Sequence, residues 1–143
     1  MRLLVINGPN LNLLGTRRPD VYGAATLGEL EMLCRRWGAA AGASVDTFQS
    51  NHEGAIIDRL HEAIGAVDGI VINPGALTHY SYALHDAIEA VGIPTVEVHI
   101  SDIAARESWR AQSVVSTVCA STISGEGLDG YRRAIEYLAH RAD

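Results

Sequence analysis

Short runs of apolar residues, rich in valine and isoleucine, alternate along this chain with segments whose apolar residues recur at helical spacing. Five runs are strand candidates, at residues 3–7, 44–48, 69–73, 95–99 and 114–121. Their nearly continuous apolarity is typical of strands covered on both faces, and strands that alternate with helices form parallel sheets. The alternation therefore predicts a single α/β domain over residues 1–143. Five strands favour a flavodoxin-like, doubly wound parallel sheet with the order 2-1-3-4-5.

Helix-start signals and apolar stripes indicate four helices. Capping boxes precede the first two, formed by Thr26 with Glu29 and by Ser50 with Glu53. Apolar residues at helical spacing over residues 83–91 and 128–138 indicate the third and fourth helices. We expect His79 to begin the third helix.

The charge composition argues against several kinds of function. The formal net charge is −6, whereas a protein that mainly binds nucleic acid needs a basic surface. All 11 basic residues are arginine, so the chain lacks the lysine that Schiff-base catalysis and a P-loop require. Any carbonyl chemistry in this protein would therefore proceed through enolates and not through iminium ions.

The sequence gives little indication of a membrane-spanning segment or of a metal site. No apolar run approaches the roughly 20 residues that cross a bilayer, and the first apolar run turns polar at Asn7, too early for a signal peptide. Cys34, in a helical pattern, and Cys119, in an apolar strand candidate, lack metal-ligand spacing. We expect both to be buried free thiols in a cytoplasmic protein, and a disulfide is the alternative. Neither a metal nor a cofactor is expected.

The residues that folding needs least gather in three segments that follow strands 1, 3 and 4. In a sheet of this order a ligand binds outside the carboxyl ends of the strands, at the switch point between strands 1 and 3. The segments at 8–23, 73–79 and 97–110 should therefore converge. Their polar and aromatic side chains are the candidate site residues: Asn10, Asn12, Arg17, Arg18, Tyr22, Asn73, His79, His99, Ser101, Arg106 and Arg110.

Tyr22 follows two adjacent arginines in the first of these segments. A nearby cation favours the anion of a phenol, so Arg17, or an arginine of the third segment, could make Tyr22 available as a base. The alternatives are a half-buried loop aromatic and a solvated pair of charges.

Glu97 and His99 are two residues apart at the end of strand 4, so the period of a strand places both side chains on one face. A carboxylate beside an imidazole fixes its tautomer and favours its cation, which suits a general acid. A capped histidine at a strand end is the alternative.

Arg106 and Arg110 should share one face of a short helical turn. They form either a clamp for a small carboxylate or an exposed pair.

The glycines at 125, 127 and 130 match the G-x-G-x-x-G pattern of dinucleotide-binding sites. That site also needs a following strand and an acidic residue about 20 positions later. Only helical pattern follows Gly130, so we interpret the match as a glycine-rich turn. A non-catalytic flavodoxin-like binding module would account neither for Tyr22 with Arg17 nor for Glu97 with His99.

Four segments resemble, in order and spacing, the type II 3-dehydroquinate dehydratases: NGPNLNLLGTRRPDVYG, QSNHEGAIIDRLHEA, INPGALTHYSYALHDAI and EVHISDIAARESWR. The resemblance covers nearly the whole chain. It implies a cofactor-free dehydration of 3-dehydroquinate to 3-dehydroshikimate, in the shikimate pathway or in quinate breakdown. It also implies a homododecamer built as a tetramer of trimers.

The resemblance implies roles for individual residues as well. Tyr22 would remove a C2 proton, Arg17 would activate Tyr22, and Asn10 would hold a water against the enolate oxygen. His99, oriented by Glu97, would protonate the departing C1 hydroxyl in a trans (anti) elimination. Substrate-binding positions are implied for Asn73, His79, Asp86, Ile100, Ser101, Arg106 and Arg110. The aspartate among them would reach the site of a neighbouring subunit.

Overall fold

A five-stranded parallel sheet forms the centre of the protein. The computed structural model describes residues 1–16 and 19–141, leaving aside the side chains of Val21 and Tyr22. The strands follow the order β2-β1-β3-β4-β5, and each neighbouring pair is parallel. Their bounds are β1 (Arg2–Asn7), β2 (Ser44–Gln49), β3 (Gly69–Asn73), β4 (Thr95–His99) and β5 (Ser121–Ser124). The predicted fold class and strand order are confirmed.

Helices cover both faces of this sheet. Their bounds are α1 (Pro19–Tyr22), α2 (Leu27–Ala40), α3 (Glu53–Glu62), α4 (Tyr82–Val91) and α5 (Asp129–Arg141). Successive residues of a strand point to opposite faces, so β1 contributes to two cores. Leu3 and Val5 pack in a first core with residues of α2 and α5, whereas Leu4 and Ile6 pack in a second core with residues of α3 and α4. This double coverage explains why the central strands are apolar without a break.

The helix starts agree only in part with the sequence signals. Thr26 caps α2 by accepting a hydrogen bond from the Glu29 N–H at 3.2 Å, as the first capping box predicts. The second box is wrong, because the residue preceding α3 is His52 and its side chain makes no cap. The hydroxyl of Ser50 accepts from the His52 N–H at 3.0 Å, which closes a turn just before the helix begins.

His79 does not begin the third helix, contrary to the prediction. It ends a 3-10 turn over Gly75–His79. Helix α4 begins three residues later, where the Ser81 hydroxyl accepts a hydrogen bond from the Leu84 N–H at 3.0 Å. Serine is a favoured N-cap because its oxygen satisfies a backbone donor that the helix leaves free.

The last strand lies further along the chain than predicted. Of the predicted run 114–121, only Ser121 belongs to it. Val115 is fully buried in the second core, and its neighbours form a loop with a 3-10 turn at Ser116–Val118. Strand β5 (Ser121–Ser124) lies at the edge of the sheet, where Ile123 is its buried residue. An edge strand with one covered face does not need a continuous run of apolar residues. A buried loop can have such a run, which is why residues 114–121 resembled a strand.

The two arginines of the third segment do not share a helical face, which corrects the prediction of one turn at residues 106–110. Two 3-10 turns, Ile103–Ala105 and Ser108–Ala111, occupy this segment. Arg106 lies between them with an extended backbone, so the helical period does not run from Arg106 to Arg110.

Cys34 and Cys119 are both free thiols, as predicted. Cys34 is buried, whereas Cys119 is only partly buried and lies in the loop before β5 and not in a strand. Within residues 1–16 and 19–141, no helix has the length and apolarity needed to cross a membrane.

Candidate active site

A cleft lies at the carboxyl ends of β1, β3 and β4, where the strand order reverses. Residues from three segments line it: 9–11 after β1, 73–79 at the end of β3 and in the turn that follows, and 99–110 at the end of β4 and after it. This is the position where open α/β sheets bind ligands. The structure therefore has a cleft at the position where the sequence predicts the site. The predicted residues that line the cleft are Asn10, Asn73, His79, His99, Ile100, Ser101, Arg106 and Arg110.

His99 and Glu97 form a buried pair on the β4 side of the cleft. The His99 Nε2 atom lies 2.5 Å from Glu97 Oε2, and the exposed fractions of the two side chains are 5% and 0%. Because a carboxylate oxygen accepts, Nε2 carries a proton and donates it. Nδ1 is left as the ring nitrogen that can exchange a proton with a ligand. The predicted placement of both side chains on one face is confirmed.

Three hydroxyl groups complete the surroundings of the Glu97 carboxylate. Thr78 Oγ1 donates to Oε2 at 2.5 Å, Ser113 Oγ lies 3.0 Å from both carboxylate oxygens, and Thr122 Oγ1 lies 3.4 Å from Oε1. Burial alone would raise the pKa of Glu97. The hydrogen bond and positive charge of His99, with the hydroxyls of Thr78 and Ser113, outweigh burial and lower that pKa below its ordinary value.

His79 presents one ring nitrogen to the protein backbone. Its Nδ1 atom lies 2.7 Å from the carbonyl oxygen of Gln112. A carbonyl can only accept, so Nδ1 carries the proton and Nε2 is left for a ligand. The indole of Trp109 meets the His79 ring edge-on at 5.2 Å between centroids.

Two guanidinium groups line the same cleft. The Arg110 guanidinium lies 4.1 Å from the centre of the Trp109 ring, and its Nε atom is 2.5 Å from Glu107 Oε2. Arg106 Nη1 donates to the Ser101 hydroxyl at 3.4 Å. Although the helical spacing that suggested a clamp is absent, both arginines reach one cleft, where planar guanidinium groups can bind a carboxylate.

Two asparagines line the floor of the cleft. Asn10 has a left-handed backbone (φ 72°), and its N–H donates to Asn51 Oδ1 at 2.9 Å. Asn73 accepts from the Gly75 N–H at 3.1 Å and donates from Nδ2 to the Tyr131 hydroxyl at 2.9 Å. The side-chain amide of Asn73 is thus oriented by two hydrogen bonds, and the backbone of Asn10 is held by one.

Asp86 does not line the cleft, and three other predicted residues cannot be placed against it. The side chain of Asp86, on α4, is 79% exposed and lies 3.0 Å from His85 Nδ1. Arg17 and Arg18 lie outside the described residues, and so does the side chain of Tyr22, whose backbone ends α1. Within the described part of the chain, no group of three or more His, Cys, Asp and Glu side chains could hold a metal.

Sequence reasoning missed several residues that build the site. They are Thr78, Ser113 and Thr122 around Glu97, Trp109 at His79, Asn51 at Asn10, and Tyr131 at Asn73. Thr78 precedes a residue that was singled out, which was a usable signal. The same holds for Trp109, which precedes Arg110. Asn51, Ser113, Thr122 and Tyr131 lie outside the three predicted segments, and no local pattern marks them.

Comparison with known proteins points to one family. The family model described as "Dehydroquinase class II" matches residues 1–139. The chain is 56% identical over 137 residues to "Catabolic 3-dehydroquinase 1" of Neosartorya fischeri, covering 96% of this chain and 91% of that protein. It is 54% identical over 140 residues to "3-dehydroquinate dehydratase" of Bacillus cereus, covering 98% and 96%. The crystal structure of type II dehydroquinase from Butyrivibrio crossotus superimposes with a TM-score of 0.94 at 49% identity, covering 96% and 97% of the two chains.

Proposed function

This chain belongs to the class II dehydroquinase family, and from that premise we propose that it dehydrates 3-dehydroquinate to 3-dehydroshikimate without a cofactor. The reaction breaks the C2–H and C1–O bonds and forms a C1–C2 double bond, and one water leaves. The observation that carries the proposal is the buried Glu97–His99 pair at the cleft, together with Arg106 and Arg110 on the same cleft. An acid beside carboxylate-binding groups suits a small acidic substrate that loses a hydroxyl.

His99 acts as the general acid in this proposal. The Glu97 carboxylate holds Nε2 protonated and stabilises the imidazolium, so the ring can give a proton to the C1 hydroxyl as it departs. The hydroxyl then leaves as water and the ring returns to its neutral form. Solvent restores the proton before the next turnover.

Tyr22 acts as the base and Arg17 favours its anion, as the resemblance implies. Tyr22 removes the C2 proton, and the neighbouring ketone takes up the electron pair as an enolate. The enolate then re-forms the ketone and the electron pair makes the C1–C2 double bond as the C1–O bond breaks, and Tyr22 releases the proton to solvent. Asn10, which lines the cleft, holds a water against the enolate oxygen, because preorganised donors stabilise developing charge. Base and acid must approach opposite faces of the ring, so the elimination is anti (trans).

The remaining predicted residues bind the substrate. Arg106 and Arg110 supply guanidinium donors for its carboxylate. Asn73, the free Nε2 of His79 and the chain at Ile100 and Ser101 offer hydrogen bonds to its oxygens, and all of them line the cleft. These contacts would fix the ring so that its C1 hydroxyl faces His99.

We further propose that residues 1–143 form one cytoplasmic catalytic domain and that twelve copies assemble as a tetramer of trimers. The free thiols Cys34 and Cys119 suit a reducing compartment. Asp86 is well exposed and would complete the site of a neighbouring subunit. Sedimentation equilibrium tests the assembly: a monomeric parent protein with full turnover would refute both the dodecamer and the shared site.

The reaction is tested by adding 3-dehydroquinate to purified protein without metal or nucleotide. The conjugated enone of the product absorbs in the ultraviolet, so turnover appears as a rise in absorbance. Tyr22→Phe keeps the ring and removes the hydroxyl, and it should abolish most of that rise while assembling normally. No rise with correctly assembled parent protein would refute the proposed activity, and full turnover by Tyr22→Phe would refute the assignment of the base.

A further inference from the structure

The carboxylate of Glu97 is completely buried, yet four donors converge on its two oxygens. His99 Nε2 and Thr78 Oγ1 each lie 2.5 Å from Oε2, and Ser113 Oγ lies 3.0 Å from both oxygens. Thr122 Oγ1 lies 3.4 Å from Oε1. A buried carboxylate is costly unless it is fully hydrogen-bonded, and here hydroxyl groups supply most of the donors.

The number of protons around the carboxylate is informative. Thr78 and Ser113 each have one hydroxyl proton, and His99 donates one from Nε2. An ionised carboxylate can accept all of them. A protonated carboxyl group would place its own proton against one of these donors. The arrangement is therefore matched to the ionised form of Glu97, which is the form that keeps the imidazole of His99 in one tautomer.

The two closest hydroxyl groups are themselves locked in place. Ser113 Oγ accepts from the N–H groups of Val115 at 3.3 Å and Ser116 at 3.1 Å. The Val114 N–H donates to the Thr78 carbonyl oxygen at 2.7 Å. The loop before β5 is thereby joined to the turn after β3, and the two hydroxyls are brought to Glu97 from opposite segments of the chain.

We propose that Thr78 and Ser113 are positioning residues for the general acid: their hydroxyl groups hold the Glu97 carboxylate ionised and oriented, so that His99 faces the substrate in one tautomer. This inference rests on the proposed dehydration, because it concerns the positioning of His99, the general acid of that reaction. A purely structural role would predict a loss of stability in variants without any change in the pH dependence of turnover.

The test compares variants that remove one hydroxyl with variants that keep it. Thr78→Val removes the hydroxyl while preserving shape, and Thr78→Ser restores it. Ser113→Ala removes the second hydroxyl, and Ser113→Cys replaces it with a weaker donor of similar size. Ser116→Ala is the matched control, since its hydroxyl donates to the Ser113 carbonyl in the same loop. Circular dichroism establishes folding, and kcat and KM are measured across the acid pH range.

Thr78→Val and Ser113→Ala should each lower kcat about ten- to a hundredfold, the range expected for one hydrogen bond to a charged group. KM should change little, and the acid limb of kcat should move to higher pH, because Glu97 loses a donor that favours its ionised form. The Thr78→Ser variant should restore both values. Cys119 does not contribute to this limb, since burial and the charge of Glu97 raise its pKa to about 12.

The inference would be overturned if folded Thr78→Val, Ser113→Ala or Ser113→Cys had the same kcat and the same acid limb as the parent protein. Where Ser113→Ala does not fold, Ser113→Cys gives the reading at the same position. Nitrogen-15 NMR of the His99 ring needs no turnover and should show a mixed tautomer in the variants. If the parent protein shows no turnover while its His99 tautomer still differs from that of the variants, the proposed reaction is refuted and the positioning role is left intact.

Discussion

Replacing Glu97 with glutamine removes the negative charge behind His99 while keeping the shape of the side chain. The carboxylate is fully buried and 2.5 Å from His99 Nε2, so water screens the pair little. A hydrogen bond to a charged group contributes about 1.5–3 kcal/mol, and a neutral one about 0.5–1.5 kcal/mol. The difference, about 1–1.5 kcal/mol, corresponds to a loss of kcat of roughly tenfold.

The glutamine can keep most of the hydrogen bonds that the carboxylate makes. Its amide oxygen can take the place of Oε2, which accepts from His99, Thr78 and Ser113. Its NH₂ group then faces the hydroxyl oxygen of Thr122, which can accept. We therefore expect a folded protein, so that a loss of turnover reports on the charge and not on the fold.

The assay is the absorbance of the enone at saturating 3-dehydroquinate, with folding checked by circular dichroism. Glu136→Gln is the control, because it makes the same change in an ion pair with Arg132 on α5, away from the cleft. It should leave kcat unchanged. If folded Glu97→Gln turned over within twofold of the parent, a charged partner for the general acid would not be needed, and the reasoning would fail.

The same variant should change how stability depends on pH. The pKa of Glu97 is lower in the folded protein than its ordinary value, so the folded state favours the ionised form. The resulting stabilisation is present above the unfolded pKa of about 4.3 and is lost as the pH falls through the lower folded pKa. Urea unfolding between pH 6 and pH 3 should show a steeper decline in the parent than in Glu97→Gln, and equal slopes would contradict the lowered pKa.

Three further substitutions probe the supports of the cleft. Tyr131→Phe removes the hydroxyl that accepts from Asn73, and it should lower the free energy of unfolding by about 1–3 kcal/mol, measured by urea titration. Trp109→Ala should raise KM about two- to tenfold at nearly constant kcat, because the indole packs against His79; Trp109→Phe should recover part of the loss. Gly8→Ala should destabilise the protein by about 1–3 kcal/mol, seen as a lower Tm, because a Cβ there would lie 2.6 Å from a backbone oxygen.

Most of the sheet could be predicted because its central strands have both faces covered. Strands β1, β3 and β4 are buried along almost their whole length, so apolarity alone locates them. The edge strand β5 has less to bury, and the buried loop before it imitated a strand. Continuous apolarity reports burial and not backbone conformation, which is why the last strand was misplaced while the strand order was right.

The acid pair could be predicted because the period of a strand is nearly invariant. Once Glu97 and His99 are placed on one strand, their side chains must share a face, and the structure has them in contact. The hydroxyls of Thr78 and Ser113 could not be found in this way, since they reach Glu97 from separate segments. Only the three-dimensional arrangement brings them together.

Arg106 and Arg110 illustrate which part of a local prediction matters for a site. The helical turn expected there is replaced by two 3-10 turns, so the argument from a shared helical face was wrong. Both side chains nevertheless line the cleft, because the chain that leaves the carboxyl end of β4 must pass over the switch point of the sheet. In this fold, the distance of a residue from a strand end is a better guide to the site than the face it would occupy on a short helix.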